Sequence, residues 1–115
     1  RFDQVLLNIN IDGAGYKEGP SAFSPFGLDG AWQQVFDQVM QKHPTIIQGC
    51  PWYQGDHSMF LQAGRPAVAV TSAWFLEHLD TQDITHTPKD NPGIVEEERL
   101  VEVALAIRDL VLRIH

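Results

Sequence analysis

Covalent staples are absent from this chain: its 115 residues include one cysteine, Cys50, so no internal disulfide can form. Basic residues are scarce, 8 Lys+Arg against 15 Asp+Glu for a net charge of −7, and they do not cluster. That balance argues against a nucleic-acid partner or an anionic lipid surface. No apolar run approaches the ~18–20 residues of a membrane-crossing helix. No segment of the given chain has the charged–apolar–small layout of a secretory signal. The sequence has no G-x-S-x-G, H-E-x-x-H, paired C-x-x-C or P-loop, and Cys50 has no companion arrangement for a thiol enzyme. Gly13-x-Gly15 lacks the third glycine of a dinucleotide site. No repeat or low-complexity tract occurs. With 43% hydrophobic and 20% charged residues the composition is that of a globular protein. The length suits one domain over 1–115. The start at Arg1-Phe2-Asp3 rather than Met leads to the expectation of an excised piece.

The chain alternates strand and helix signals. Val5 to Ile11 is a branched apolar run ending at Asp12-Gly13, which suits a largely buried strand. The stretch from Gly13 to Gly27, with its glycines, prolines and serines, predicts a long loop. Trp32, Val35, Phe36, Val39 and Met40 form the stripe of an amphipathic helix, with Asp29 as N-cap and His43-Pro44 as its end. Thr45-Ile46-Ile47 reads as a short strand. Asp56 is the expected N-cap of a short helix through Ala63, with Gly64 as its C′ residue. Pro66 to Thr71 predicts another strand. Leu100, Val103, Ala104, Ile107, Val111 and Ile114 mark the inner face of a long terminal helix, with Glu96, Glu97 and Glu98 at its positive end and Arg108 and Arg113 near its negative end. This order predicts an α/β fold, a layered sandwich with helices on the sheet.

Four places could carry chemistry. Asp12 stands where a strand stops and two glycines begin, the end of an α/β sheet that faces ligands, and the glycines would let backbone approach a ligand or metal; Asp-Gly is equally an ordinary turn. His86, in Thr85-His86-Thr87-Pro88-Lys89-Asp90, could ligate zinc, with Pro88 giving rigidity and Asp90 accepting the free ring N–H; a surface-loop histidine is the plainer alternative. Asp56 could orient a base or bind a substrate amine, and Tyr53 could donate to a developing oxyanion. In structural terms Asp56 caps a helix and Trp52 and Tyr53 pack over its end. His43, His78 and His115 are read as surface residues.

Taken in order, Asn10-Ile11-Asp12-Gly13, then Gly55-Asp56-His57-Ser58-Met59-Phe60 with Ala63-Gly64-Arg65-Pro66-Ala67, then His86-Thr87-Pro88-Lys89-Asp90, then an amphipathic helix, the sequence resembles the C-terminal half of the co-catalytic zinc aminopeptidase family. That family includes bacterial leucyl aminopeptidases, glutamate carboxypeptidase, glutaminyl cyclases and the non-catalytic transferrin-receptor ectodomain. The resemblance implies a partial three-layer α/β/α sandwich, a mixed sheet flanked by helices, forming the C-terminal portion of a catalytic domain. It implies that Asp12 binds one zinc and His86 the other, that Tyr53 stabilises an oxyanion, and that Asp56 and Asp90 give support on the substrate side and behind the imidazole. In the parent two zinc ions would generate a hydroxide to cleave N-terminal residues from a peptide substrate. The family's other ligands and its glutamate base lie upstream of the Asp12 position. The expectation is therefore that this chain alone binds no zinc tightly and is inactive, and that it pairs with itself or with the missing N-terminal half. Two alternatives are a non-catalytic peptidase-fold module and a glutaminyl cyclase. The cyclase branch commonly has Trp before the motif histidine, where this chain has Thr85.

Overall fold

A computed structural model of the chain describes residues 4–85 and 87–113. His86, His115 and Ile114 lie outside the described residues. Four strands, β1 (Asn8–Ile11), β2 (Ser21–Phe26), β3 (Ile47–Gln48) and β4 (Ala67–Ser72), form one mixed sheet in the order β1-β4-β2-β3. β1 runs parallel to β4, β2 antiparallel to β4, and β3 parallel to β2. Helices α1 (Gly30–Lys42), α2 (His57–Gln62), α3 (Ala73–Glu77) and α4 (Glu97–Arg113) cover the sheet.

Side-chain alternation divides the interior into two layers. Phe23 pairs with Val70 across β2 and β4, and Pro25 with Val68. Phe23, Val68 and Val70 pack with Phe36 and Val39 of α1 and Val103, Ala106 and Leu110 of α4. On the opposite face Phe26, Ala67 and Ala69 pack with Trp52, Leu61 of α2 and Leu76 of α3. The result is a partial α/β/α sandwich. No helix among the described residues is long and apolar enough to cross a membrane.

The expected loop over 13–27 is the main correction, because its second half is β2, an interior strand buried at five of six positions. Ala22 and Ser24 are small because the Gly49–Cys50 segment passes close over them: the Ser24 hydroxyl donates to the Cys50 carbonyl at 2.7 Å. Pro25 is tolerated because it shares a side with Phe23, whose carbonyl accepts the Gly49 N–H at 2.9 Å. Its missing N–H thus faces past the end of the two-residue β3 and costs no ladder bond. The first strand is shorter than its apolar run, starting at Asn8. Asp29 caps α1 as expected, its carboxylate accepting from Trp32 N–H at 3.0 Å. Asp56 does not cap α2: its own backbone is already helical and its side chain makes no cap bond. The buried stripe of α4 is Val103, Ala106 and Leu110, turned from the expected face, so Leu100, Ala104 and Val111 are exposed.

His43 is another correction, since it is no free surface residue. Its Nε2 donates to Asp109 of α4 at 2.6 Å, and Lys42 Nζ lies 3.3 Å from the same oxygen. The His43 hydrogen bond, aided by Lys42 and opposed by desolvation, holds the Asp109 carboxyl below the usual carboxylate range. A lowered folded value means stabilisation that is complete above the ordinary carboxylate range and disappears as pH falls through the lowered value. Asp109→Asn is expected to melt several degrees below the parent at pH 7. In acid the gap should start to narrow below the usual carboxylate value of about 4, and the two melting curves should converge only once pH is below the lowered value of Asp109. Circular-dichroism melts across that range check this.

Candidate functional site

The turn after β1 is built by β4. Asp12 N–H donates to the Val70 carbonyl at 2.9 Å, continuing the parallel ladder past the strand end. The buried Ser72 hydroxyl donates to the Gly13 carbonyl at 2.7 Å and accepts from Tyr16 N–H at 3.0 Å. The Tyr16 ring packs against Trp74 and Phe75 of α3, with centroids at 5.0 and 5.4 Å. The chain returning toward α4 crosses beneath: Lys17 N–H meets the Ile94 carbonyl and Glu96 N–H the Gly15 carbonyl, both at 2.9 Å.

Asp12 is exposed on this frame, and its carboxylate makes no hydrogen bond or ion pair among the described residues. It lines a cavity of about 140 Å³ together with Tyr16, Phe75, Ile84, Thr85 and Asp90. A second cavity of about 200 Å³ shares Asp12, Gly13, Phe75 and Thr85 with the first and is closed by Trp52, Gln54, Thr71, Leu79 and Gln82. Asp12 and Asp90 are thus brought to one cavity, while His86 lies outside the described residues; its neighbour Thr85 borders both cavities.

The loop that carries Thr85 is held by its own side chains. The Gln82 side-chain oxygen accepts from Ile84 N–H at 2.9 Å, Thr85 N–H at 3.0 Å and the Thr85 hydroxyl at 3.2 Å. The Thr87 hydroxyl donates to the Ile84 carbonyl at 2.6 Å, and Lys89 pairs with Asp83. That Lys89 hydrogen bond, with the ammonium charge behind it, holds the Asp83 carboxyl below its ordinary range.

Tyr53 and Asp56 stand apart from the Asp12 cavities. Tyr53 is 62% exposed, rests edge-on against Phe26 with centroids 5.4 Å apart, and lines a separate concavity with Ser58, Leu61 and Gln62. Asp56 is exposed at the start of α2. His78 is half-buried rather than free, stacked on Trp74 with its Nδ1 at 2.7 Å from the Trp74 carbonyl. Sequence reading missed Gln54, Phe75 and Gln82 as cavity walls. Phe75 belongs to a five-residue helix with no amphipathic stripe to announce it.

Whether these residues fit a zinc centre can be judged from the donors. The carboxylates of Asp12 and Asp90, which have no hydrogen-bond or ion-pair partner among the described residues, line one cavity, and carboxylates are hard-oxygen donors suited to a cation. Among the described residues, however, no three His, Cys, Asp or Glu side chains lie close enough together to hold an ion. The donor type fits, and the donor count among these residues falls short of the three protein ligands typical of a catalytic zinc.

Comparison with known proteins gives a likeness in fold. An aminopeptidase from Aneurinibacillus sp. strain AM-1 superposes with a TM-score of 0.72 and 19% sequence identity, over 96% of this chain and 26% of that one. The chain therefore spans about a quarter of the length of that protein. At this identity the likeness shows an aminopeptidase-like fold. No protein-family model matches the sequence. A search of curated proteins also found no match.

Proposed function

We propose that these residues form part of the catalytic domain of a zinc-dependent aminopeptidase-like hydrolase that cleaves N-terminal residues from peptides. The observation that carries the reading is the Asp12 carboxylate just past the end of β1, without a partner among the described residues and sharing one cavity with Asp90 and with Thr85, the neighbour of His86. The aminopeptidase-like fold supports it. On this reading Asp12 holds one zinc ion and His86 the other, and the remaining ligands and a glutamate base come from outside these 115 residues. Bound zinc supplies Lewis acidity toward a peptide carbonyl and toward water. The chain's own residues orient and polarise. Asp90 accepts the free ring N–H of His86 and fixes its tautomer. Tyr53 donates its phenol hydrogen to the developing oxyanion. For that, the phenol must leave the concavity it shares with Ser58 and Gln62. Asp56 supports the substrate side.

The exposed apolar residues Val101, Leu105 and Leu112 of α4, and Ile11 on the edge strand β1, favour a partner surface: the rest of a parent chain, or a second copy.

The parent protein carrying this chain tests the reading. Calorimetry is expected to count two zinc ions in it, and one fewer in Asp12→Asn and in His86→Ala. Release of the first residue from an unblocked peptide should fall by at least about 100-fold in either variant. An N-acetylated peptide should not be cut. A parent that binds no zinc and cleaves neither peptide is a non-catalytic module.

A further inference from the structure

His57 is fully buried, yet nothing proposed above uses it. It lies under the loop that walls the larger cavity. Its Nε2 donates to the Trp52 carbonyl at 2.7 Å, and its Nδ1 accepts from the side-chain amide of Asn10 on β1 at 3.1 Å. Both bonds are satisfied by the tautomer with its hydrogen on Nε2. The ring also packs edge-on against the Trp52 indole, centroids 4.6 Å apart, and at a tilt against Phe26 at 5.2 Å. Gly55 leaves room for it: a Cβ there would meet His57 Nδ1 at 2.9 Å and the Asn10 amide nitrogen at 3.1 Å. One imidazole thus ties segment 52–55 to β1, the strand that leads into Asp12. Trp52 and Gln54 from this segment line the cavity beside Asp12, and Tyr53 lies between them.

We infer that His57 is a positioning residue: held between Asn10 and the Trp52 carbonyl, it fixes the loop that shapes the substrate side of the Asp12 cavity. Its effect on turnover rests on the proposed aminopeptidase reading; its anchoring of the loop does not.

The anchoring is tested first. In a Trp32→Phe, Trp74→Phe background Trp52 is the sole tryptophan. His57→Leu fits the space but donates to nothing, so acrylamide quenching of Trp52 should rise several-fold. His57→Gln can still donate to the Trp52 carbonyl and should keep the indole shielded. Nitrogen-15 NMR of the unsubstituted chain should show His57 protonated at Nε2 and bare at Nδ1, a readout that holds even if His57→Leu fails to fold. A hydrogen on Nδ1, or unchanged quenching in a folded His57→Leu, overturns the inference. In the parent protein His57→Leu should lower kcat/KM by up to about 100-fold, with His57→Gln restoring most of it. If Asp12→Asn abolishes turnover while His57→Leu leaves it intact, the positioning role falls and the aminopeptidase reading stands. If Asp12→Asn leaves turnover intact, the aminopeptidase reading falls, and the quenching and NMR results alone decide the anchoring.

Discussion

Phe23→Ala is expected to be the most destabilising single truncation in the chain, costing about 3–5 kcal/mol. At this size that lowers the melting temperature by roughly 12–20 °C. The reason is position. Phe23 is fully buried in the strand lying between β4 and β3, and its ring reaches the cluster in which α1 and α4 meet the sheet. Removing it opens a cavity touching three elements, none of which can close the gap without breaking its own packing. The register Phe23 to Val70 also pins β2 against β4, so the loss loosens the antiparallel pair that holds β4 in place. Total stabilities of small domains are about 5–15 kcal/mol, so the variant should be partly unfolded at 37 °C. Phe23→Leu keeps most of the volume and should lose far less. A thermal or urea melt of the three proteins decides; a Phe23→Ala melt within a few degrees of the parent would show that β2 is not the interior strand described above.

That strand was the element least legible in the sequence. Ser21-Ala22-Phe23-Ser24-Pro25-Phe26 has turn residues where a central strand ordinarily has branched apolar ones, and local chemistry says loop. What makes it a strand is non-local: β4 supplies six paired positions, and the Gly49–Cys50 segment crossing over Ser24 demands small side chains. By contrast β4 and α1 were readable, because the Ala67–Ser72 run is buried at every position and the α1 stripe has a capped start. The terminal helix was located correctly, and Val103 and Ile107 of its expected face do reach the core, but Leu100, Ala104 and Val111 do not. Apolar residues occur on more than one side of it, and only contact with Phe36 and Val39 selects Val103, Ala106 and Leu110. Asp12 was visible as a candidate because a strand end followed by glycine is a local signal, and it does line both cavities. Its companions Gln82 and Phe75 were hidden, since they reach the cavity through the path of the loop after α3, which no local pattern encodes. His57 was read as part of a helix start and of the Gly55–Phe60 motif, with no role of its own; its hydrogen bond to Asn10, 47 residues away, is not a local signal.

Gly15→Ala is the second large effect expected, and it separates two explanations for the glycines after Asp12. As sequence, they suggested room for a ligand. The structure gives Gly15 another reason: its backbone sits at φ +83°, and a Cβ there would lie 2.5 Å from Leu100 Cδ2 and 2.8 Å from Leu100 Cγ. The close approach is to the first turn of α4. Alanine would therefore carry a backbone cost of about 1–2 kcal/mol in the left-handed region and an overpacking cost of about 1–3 kcal/mol against Leu100. Leu100 is 42% exposed, so it can swing outward, but that strips the cover from the turn whose Gly15 carbonyl holds the Glu96 N–H. The two costs can be separated by a double-mutant cycle. Leu100→Ala should relieve the steric part, so Gly15→Ala should cost less in that background than in the parent, leaving the backbone part. Equal costs in both backgrounds would mean that Leu100 does not press on Gly15. A Gly15→Ala protein as stable as the parent would mean the turn has no need of a left-handed residue. Because the same turn carries Asp12, the displaced variant in the parent protein should also lose zinc in proportion to how far the carboxylate moves, linking the packing of α4 to the proposed metal centre through one glycine.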